Sequence, residues 1–243
     1  NFDYNYLQHR KVDVVSSALD FILPFEKYKI TAGAKVSFTN TRNGINYDTS
    51  DPTLVQDDYF RYKEQIYALY ADYSREFSER FSMQLGLRME HTRTIGISEA
   101  KDTEDKHDYT RLFPTVYLLY SPTDGHALNF SFSNRISRPS QNMVNPFPFY
   151  QNKYTYACGR EDLKPSYTYN VELGYTLKNN FNVSAYYSYS DDVFFQVVDL
   201  DAETNVTSFL WENFMKTHAF GLNNSYTFRT KWLQTYAQHG VSY

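Results

Sequence analysis

The side chains that could bind a metal stand singly along this chain. The six histidines, at positions 9, 91, 107, 126, 218 and 239, show no His-x-x-His or Glu-x-x-His spacing. Zinc sites draw on such clusters of His, Cys and carboxylate ligands. Cys158 is the only cysteine, which excludes an intrachain disulfide and a CxxC motif. We therefore expect no metal and no cofactor.

Nucleophilic catalysis needs a nucleophile held beside a base. Ser140, His107 and Asp108 have suitable side chains, but no sequence context ties them together. We expect no catalysis and keep a membrane-embedded hydrolase as an alternative.

Several carboxylates lie close together between positions 191 and 203, and hard oxygen ligands of this kind bind Ca²⁺. The Gly turn and the closing Glu of a calcium loop are absent, which favours a solvated loop. The carboxylates are Asp191, Asp192, Asp199, Asp201 and Glu203.

The strongest candidate for ligand contact is the segment 138–166, where rigid prolines alternate with aromatic rings. Aromatic faces stack on sugars and on planar ligands. The other interpretation is a loop packed on its own rim. The candidate residues are Arg138, Asn145, Phe147, Tyr150, Tyr154 and Tyr156.

Composition indicates what kind of scaffold carries these residues. The chain has 243 residues with 24 Tyr and 19 Phe, yet the mean hydropathy is -0.61. A membrane barrel reconciles the two, because only alternate residues face lipid and aromatic rings collect at its interfaces. No run reaches the ~20 apolar residues of a spanning helix. The net charge of -4 offers no basic surface, so we exclude nucleic acid as a partner.

Alternation with a period of two is the main structural signal. Within 81–90, Met83, Leu85 and Leu87 fall on one face of a strand, while Arg88 and Glu90 fall on the other. An Arg facing lipid at mid-membrane costs about 2–4 kcal/mol in a barrel. We therefore predict that the Met and Leu side chains face lipid.

Strands separated alternately by short turns and longer loops predict one domain over 1–243, an all-β, antiparallel up-and-down transmembrane β-barrel. The strand 60–77 is apolar on both faces, which indicates that something packs inside. Short turns are expected near 24–26, 78–79, 122–125, 178–180 and 229–231, and long loops near 41–59, 98–110, 138–166 and 199–205. The ten predicted strands are 11–24, 27–41, 60–77, 80–97, 111–121, 126–137, 167–178, 181–198, 206–228 and 231–243.

Three stretches within 111–178 resemble the barrel of TonB-dependent receptor-like outer-membrane proteins of the Bacteroidetes type. They are LFPTVYLLYSP, LNFSFSNRISRPSQNMVNPF and YTYACGREDLKPSYTYNVELGY. One departure is the stretch Gly159-Arg160-Glu161-Asp162, where such proteins commonly read Gly-Asn-Pro. It alters a loop tip and leaves the barrel interpretation intact.

The resemblance implies a bacterial outer-membrane location and energy-coupled nutrient uptake through a barrel of about twenty-two strands. It also implies the partners: outer-membrane lipid, a plug domain, the TonB system and a surface lipoprotein. Neither a plug nor a TonB box is recognisable here, so the chain is expected to be a fragment of such a barrel. The start, NFDYNYLQHR, lacks a secretory signal, as in a mature protein or one with its ends removed. The alternatives are a closed ten-stranded barrel, with or without hydrolase activity, and a soluble all-β carbohydrate-binding surface module.

Overall fold

The computed structural model describes residues 4–49, 58–99 and 101–243, which form one sheet of twelve strands with one short helix. Within these residues, no helix has the length and hydropathy needed to span a membrane. The elements are β1 Tyr4–Pro24, β2 Tyr28–Thr49, β3 Asp58–Ser78, β4 Phe81–Ser98, β5 Thr103–Tyr120, β6 His126–Ser137, α1 Gln141–Val144, β7 Phe149–Asn152, β8 Thr155–Cys158, β9 Ser166–Leu177, β10 Phe181–Asp201, β11 Val206–Arg229 and β12 Gln234–Ser242.

The long strands follow chain order, from β1 through β6 and then β9 through β12, and each pairs antiparallel with the next. All ten predicted strands are present, which confirms the antiparallel up-and-down architecture. The short turns are confirmed too, at 25–27, 79–80, 121–125, 178–180 and 230–233. Gly125 and Asn179 supply the positive φ angles, 80° and 54°, that two of these turns use.

The predicted loops at the other end of the strands were too long. The loop expected at 98–110 is wrong, because β5 already begins at Thr103. Likewise β10 continues to Asp201, and β2 extends to Thr49 inside the loop expected at 41–59. Residues 50–57 of that expected loop lie outside the described residues. These strand ends carry polar side chains on both faces, so alternation of apolar residues could not reveal them.

The sheet has one apolar and one polar face. Leu87 is 51% exposed on the outer face, whereas Glu90 is 8% exposed on the opposite, inner face. The inner face is the one crossed by residues 138–165, hereafter the inner loop. The predicted orientation of 81–90, with Met83, Leu85 and Leu87 opposite Arg88 and Glu90, is confirmed.

On the outer face, the apolar side chains form a band that starts at the short turns. In β4 the outer positions are apolar from Phe81 to Met89, and the first polar ones are His91 and Arg93. In β2 the band runs from position 28 to position 38. About ten residues of a tilted strand are enough to cross a bilayer, so the band has the required height.

Aromatic residues mark both limits of the band. Near the short turns, Phe25 stacks on Tyr28 with ring centroids 4.4 Å apart. At the far limit, the hydroxyl of Tyr187 lies 2.7 Å from Nδ1 of His218. Such amphipathic rings are typical of the membrane–water interface.

Candidate functional site

The inner loop is anchored at its first residue by a cluster of charges on the inner face. The guanidinium of Arg138 donates to Glu90 Oε2 at 2.5 Å and to Thr92 Oγ1 at 3.1 Å. Arg88 donates to the other Glu90 oxygen at 2.6 Å, and Glu64 lies 3.8 Å from Arg138. Two cations and two carboxylates thus compensate one another, as partly buried charges require.

An apolar cluster holds the middle of the inner loop against β2 and β3. Phe147 of the loop packs edge-on against Phe60 of β3, with ring centroids 6.5 Å apart. Val144 and Leu163 of the loop complete the cluster with Ile45 of β2. Something does pack on the inner face, as predicted from 60–77: the protein's own loop covers the apolar end of β3 at Phe60.

The last part of the inner loop contacts β11. Strand β8 pairs in parallel with β11, and Arg160 donates to Glu212 of β11 at 2.9 Å. Arg160 also donates to Asp162 at 2.6 Å, and this hydrogen bond lowers the pKa of the Asp162 carboxyl. The backbone N–H of Lys164 donates to Asn213 Oδ1 at 2.8 Å. The inner loop is therefore fixed at both ends and spans the inner face.

Cys158 is the last residue of β8, within the inner loop. Its thiol donates to the carbonyl of Pro146 at 3.0 Å. Burial raises the pKa of the thiol, since the charged form would lose its hydration. The side chain is therefore a neutral packing element at neutral pH.

The six predicted ligand-contact residues fall into two groups. Arg138 belongs to the charge cluster, Phe147 belongs to the apolar cluster, and Asn145 Oδ1 accepts the Phe147 N–H at 3.3 Å. These three position the loop.

The other three residues lie together on the β7–β8 hairpin. The rings of Tyr150 and Tyr156 are 5.4 Å apart, and Tyr154 at the turn is 55% exposed. The hairpin was missed by the sequence analysis, because strands of four residues are too short for alternation to register. The three tyrosines of this hairpin form an accessible aromatic surface, on which a ligand could stack.

The residues suggested for hydrolysis are not assembled. His107 and Asp108 are neighbours in β5 and so point to opposite faces of the sheet. His107 contacts Asp105 and Asp108 contacts His91, while Ser140 precedes α1.

The carboxylates near 191–203 form hydrogen bonds and an ion pair with nearby protein groups. Asp201 accepts hydrogen bonds from the backbone of Glu203 and from the Thr204 hydroxyl, which lower the pKa of Asp201. Asp191 pairs with Lys216 at 3.5 Å. The described part of the chain contains no group of three or more His, Cys, Asp or Glu residues placed to hold a metal.

Below the inner loop, the inner face is polar and flat. Tyr70 lies across Gly33, and its hydroxyl donates to Asp20 on β1. Tyr186 lies across Gly221 in the same way. A glycine at these positions lets the ring lie along the sheet, which keeps the space next to the wall free.

Comparison with known proteins places this geometry among outer-membrane barrels. The profile of the outer membrane protein beta-barrel family matches residues 1–243. No curated protein sequence matches the chain.

Three solved structures share the fold at low sequence identity. The copper transporter OprC superposes with a TM-score of 0.74 at 11% identity, over 98% of this chain and 39% of that one. The Serratia marcescens hemophore receptor HasR, solved with hemophore HasA and heme, gives 0.65 at 11%, over 100% and 43%. The ferric yersiniabactin uptake receptor FyuA from Yersinia pestis gives 0.59 at 16%, over 98% and 36%. The chain thus spans about two fifths of the length of the structures it matches.

Proposed function

Since the chain belongs to the outer membrane protein beta-barrel family, and so lies in the bacterial outer membrane, we propose that it forms part of the wall of a TonB-dependent uptake receptor. The soluble carbohydrate-binding module considered from the sequence is thereby excluded. The barrel takes part in nutrient uptake and performs no catalysis.

The proposal is based on the sheet itself, which has one apolar and one polar face and, over the described residues, does not close into a barrel. Among the described residues, β1 pairs only with β2, and β12 pairs only with β11. Unpaired strand edges are not tolerated in the hydrocarbon of a bilayer, so closure requires further strands. OprC and FyuA are each more than twice as long as this chain, which supports a larger barrel with 1–243 as one part of its membrane domain.

The flat, polar inner face supports a lumen that accommodates a plug domain. Tyr70 and Tyr186 lie along the wall against Gly33 and Gly221, and the Tyr70 hydroxyl is bonded to Asp20, so the polar groups of this face stay close to the wall. Force transmitted by the TonB system would then move the plug, without covalent chemistry in the barrel. A surface lipoprotein remains a further predicted partner at the far ends of the strands.

Ligand contact is assigned to the inner loop. Within it, the hairpin tyrosines Tyr150, Tyr154 and Tyr156 meet the ligand, while Arg138, Asn145 and Phe147 hold the loop in place. This division of roles is supported by solvent exposure, because Tyr154 is more than half exposed whereas Phe147 is 7% exposed.

The experiment is uptake by cells carrying the full-length protein. A panel of ferric siderophores, haem, copper and oligosaccharides is offered with and without a protonophore. The proposal predicts energy-dependent accumulation of at least one compound, reduced at least tenfold by Tyr154→Ala. The exposed and distant Tyr236→Ala is the control, which should leave accumulation unchanged. Accumulation of none, or accumulation indifferent to the protonophore, would overturn the proposal.

A further inference from the structure

Two neighbouring strands of the wall separate partway along their length. β5 and β6 pair only between Thr115–Tyr120 and Leu128–Ser133. By contrast, β4 and β5 pair along the whole of 103–120, and β6 and β9 pair along the whole of 126–137. We name the separated edges, 103–114 of β5 and 134–137 of β6, the seam.

Pro114 explains where the pairing stops. The backbone bond from Ser121 N to Arg80 O shows that odd-numbered residues of β5 bond to β4. Even-numbered residues therefore point their N–H and C=O groups at β6, where the next partner of Pro114 would be Asn134. Proline has no N–H to donate, so the ladder ends one pair earlier.

Side chains replace backbone bonds across the seam. The Asn134 side-chain amide donates to the carbonyl of Leu112 at 3.4 Å, and its oxygen is buried without a partner among the described residues. Higher up, the guanidinium of Arg111 lies 4.8 Å from the ring centroid of Tyr167. Between 112–114 and 134–136 the two edges are thus joined by one long side-chain hydrogen bond, a weaker closure than a continuous ladder. Above this part, Arg111 reaches past β6 to β9, and Arg138 hydrogen-bonds to Tyr109 of β5.

The seam begins inside the apolar band. From Tyr120 to Thr115 a strand tilted by about 40° rises roughly 13 Å, about half of the ~25 Å apolar height of an outer-membrane barrel. On the outer face, Leu112 and Ile136 flank the seam with apolar side chains. Lipid therefore surrounds the lower part of the seam, 112–114 of β5 and 134–136 of β6, and exposed strand edges at this depth need a cover.

A cavity of about 510 Å³ lies behind the seam. Its lining includes Arg88, Glu90 and Phe113 of the inner face. It also includes Leu87 and Ile136, which belong to the outer set of alternating residues. The cavity therefore lies on the inner face directly behind the seam, with Arg88 and Glu90 on one side and Phe113 and Ile136 at the seam.

We propose that the seam is a lateral portal through which a membrane molecule with an apolar chain reaches the interior of the barrel. The apolar chain of the molecule passes between Leu112 and Ile136 and lies against Phe113, and its polar end meets the charges of Arg88 and Glu90. This inference rests on the membrane location and not on energy-coupled uptake, so failure of the uptake experiment leaves it standing.

The test is photolabelling of the full-length protein in vesicles of phosphatidylcholine that carries a diazirine in one acyl chain. Sites of attachment are mapped by mass spectrometry. We expect labelling of Phe113 on the inner face, alongside Leu85 on the outer face. Ser188 is the matched inner position away from the seam, seven residues from the end of its strand as Phe113 is, and should stay unlabelled.

Closing the seam should remove the inner labelling alone. Pro114→Val restores the missing N–H and is expected to lower labelling of Phe113 at least fivefold with no change at Leu85. Pro122→Val, in the turn of the same hairpin, is the control. Labelling of Phe113 no greater than that of Ser188, or labelling indifferent to Pro114→Val, would overturn the portal.

A chemical cross-link provides a second way to close the seam, which does not depend on the folding of Pro114→Val. In a Cys158→Ser background, Leu112→Cys with Ile136→Cys is bridged by a short bis-maleimide across the seam. The same reagent on Leu118→Cys with Phe130→Cys, which are paired below the seam, serves as control. The portal predicts loss of Phe113 labelling with the first bridge only, and equal labelling with both bridges would contradict it.

Discussion

Arg138 and Glu90 are joined by a 2.5 Å hydrogen bond although 48 positions separate them in sequence. This contact fixes the start of the inner loop to the wall. We expect Arg138→Met to release the loop, because a hydrogen bond to a charged partner contributes about 1.5–3 kcal/mol. Opening of the loop would expose Cys158, whose alkylation by a maleimide should accelerate by about tenfold to a hundredfold if opening limits the reaction.

The matched control is Arg160→Met at the other end of the same loop. The Arg160 side chain is 46% exposed, and exposed ion pairs contribute little to stability. Its effect on the alkylation rate should therefore be several times smaller. Equal rates in the two variants would show that the charge cluster does not hold the loop.

The reactivity of Cys158 should also depend on pH in a defined direction. Burial raises the thiol pKa above its ordinary value of 9.0, and only the thiolate is nucleophilic. In the folded protein, the alkylation rate at about pH 8 should be at least tenfold below that of the same chain in denaturant, and should keep rising above about pH 9. A folded-state rate that levels off below pH 9 would contradict the raised pKa.

The close approach of Tyr70 to Gly33 predicts an intolerant position. A Cβ at Gly33 would lie 2.5 Å from Tyr70 Cζ, so Gly33→Ala must displace the ring from Asp20. We expect a loss of about 1–3 kcal/mol in the free energy of unfolding, measured by urea titration in vesicles. In Gly44→Ala, on the same strand, the nearest atom is 3.6 Å away, and the free energy should change by less than about 0.5 kcal/mol. Similar losses in both variants would contradict this packing.

The strands that the sequence predicted are those whose outer face is apolar. Met83, Leu85 and Leu87 could be assigned to lipid because Arg88 and Glu90 alternate with them. The same reasoning failed at 103–110, where Glu104, Lys106 and Asp108 occupy the outer face above the apolar band. There the strand is held by its ladder and by polar contacts such as that of Thr103 with Glu161, and nothing in the amino-acid pattern distinguishes it from a loop.

Some contacts of the inner loop could not be predicted from the amino-acid sequence. The apolar inner face of β3 predicted that something packs there, and Phe60 and Phe147 confirm it. No local pattern connects Arg138 to Glu64 and Glu90, because that contact depends on how the loop folds back over the sheet. The sequence therefore predicted ligand contact for Arg138 but not its hydrogen bond to Glu90, which anchors the loop.

The outer and inner faces should differ in their tolerance of charge. Leu87→Arg places a guanidinium in the apolar band and should cost about 2–4 kcal/mol of folding free energy in vesicles. Gln84→Arg, three positions away on the inner face, should cost less than about 1 kcal/mol. Comparable losses for the two substitutions would argue that Leu87 does not face lipid.

Spin-label accessibility along β4 shows whether a bilayer surrounds the outer face of the sheet. Nitroxides are attached one at a time at positions 83–90 of the full-length protein in vesicles, in a Cys158→Ser background. Positions 83, 85, 87 and 89 should be relaxed by oxygen and shielded from a water-soluble nickel chelate, and positions 84, 86, 88 and 90 should show much weaker oxygen relaxation. Access of the nickel chelate to 85 and 87, or no alternation along the strand, would show that lipid does not cover this face.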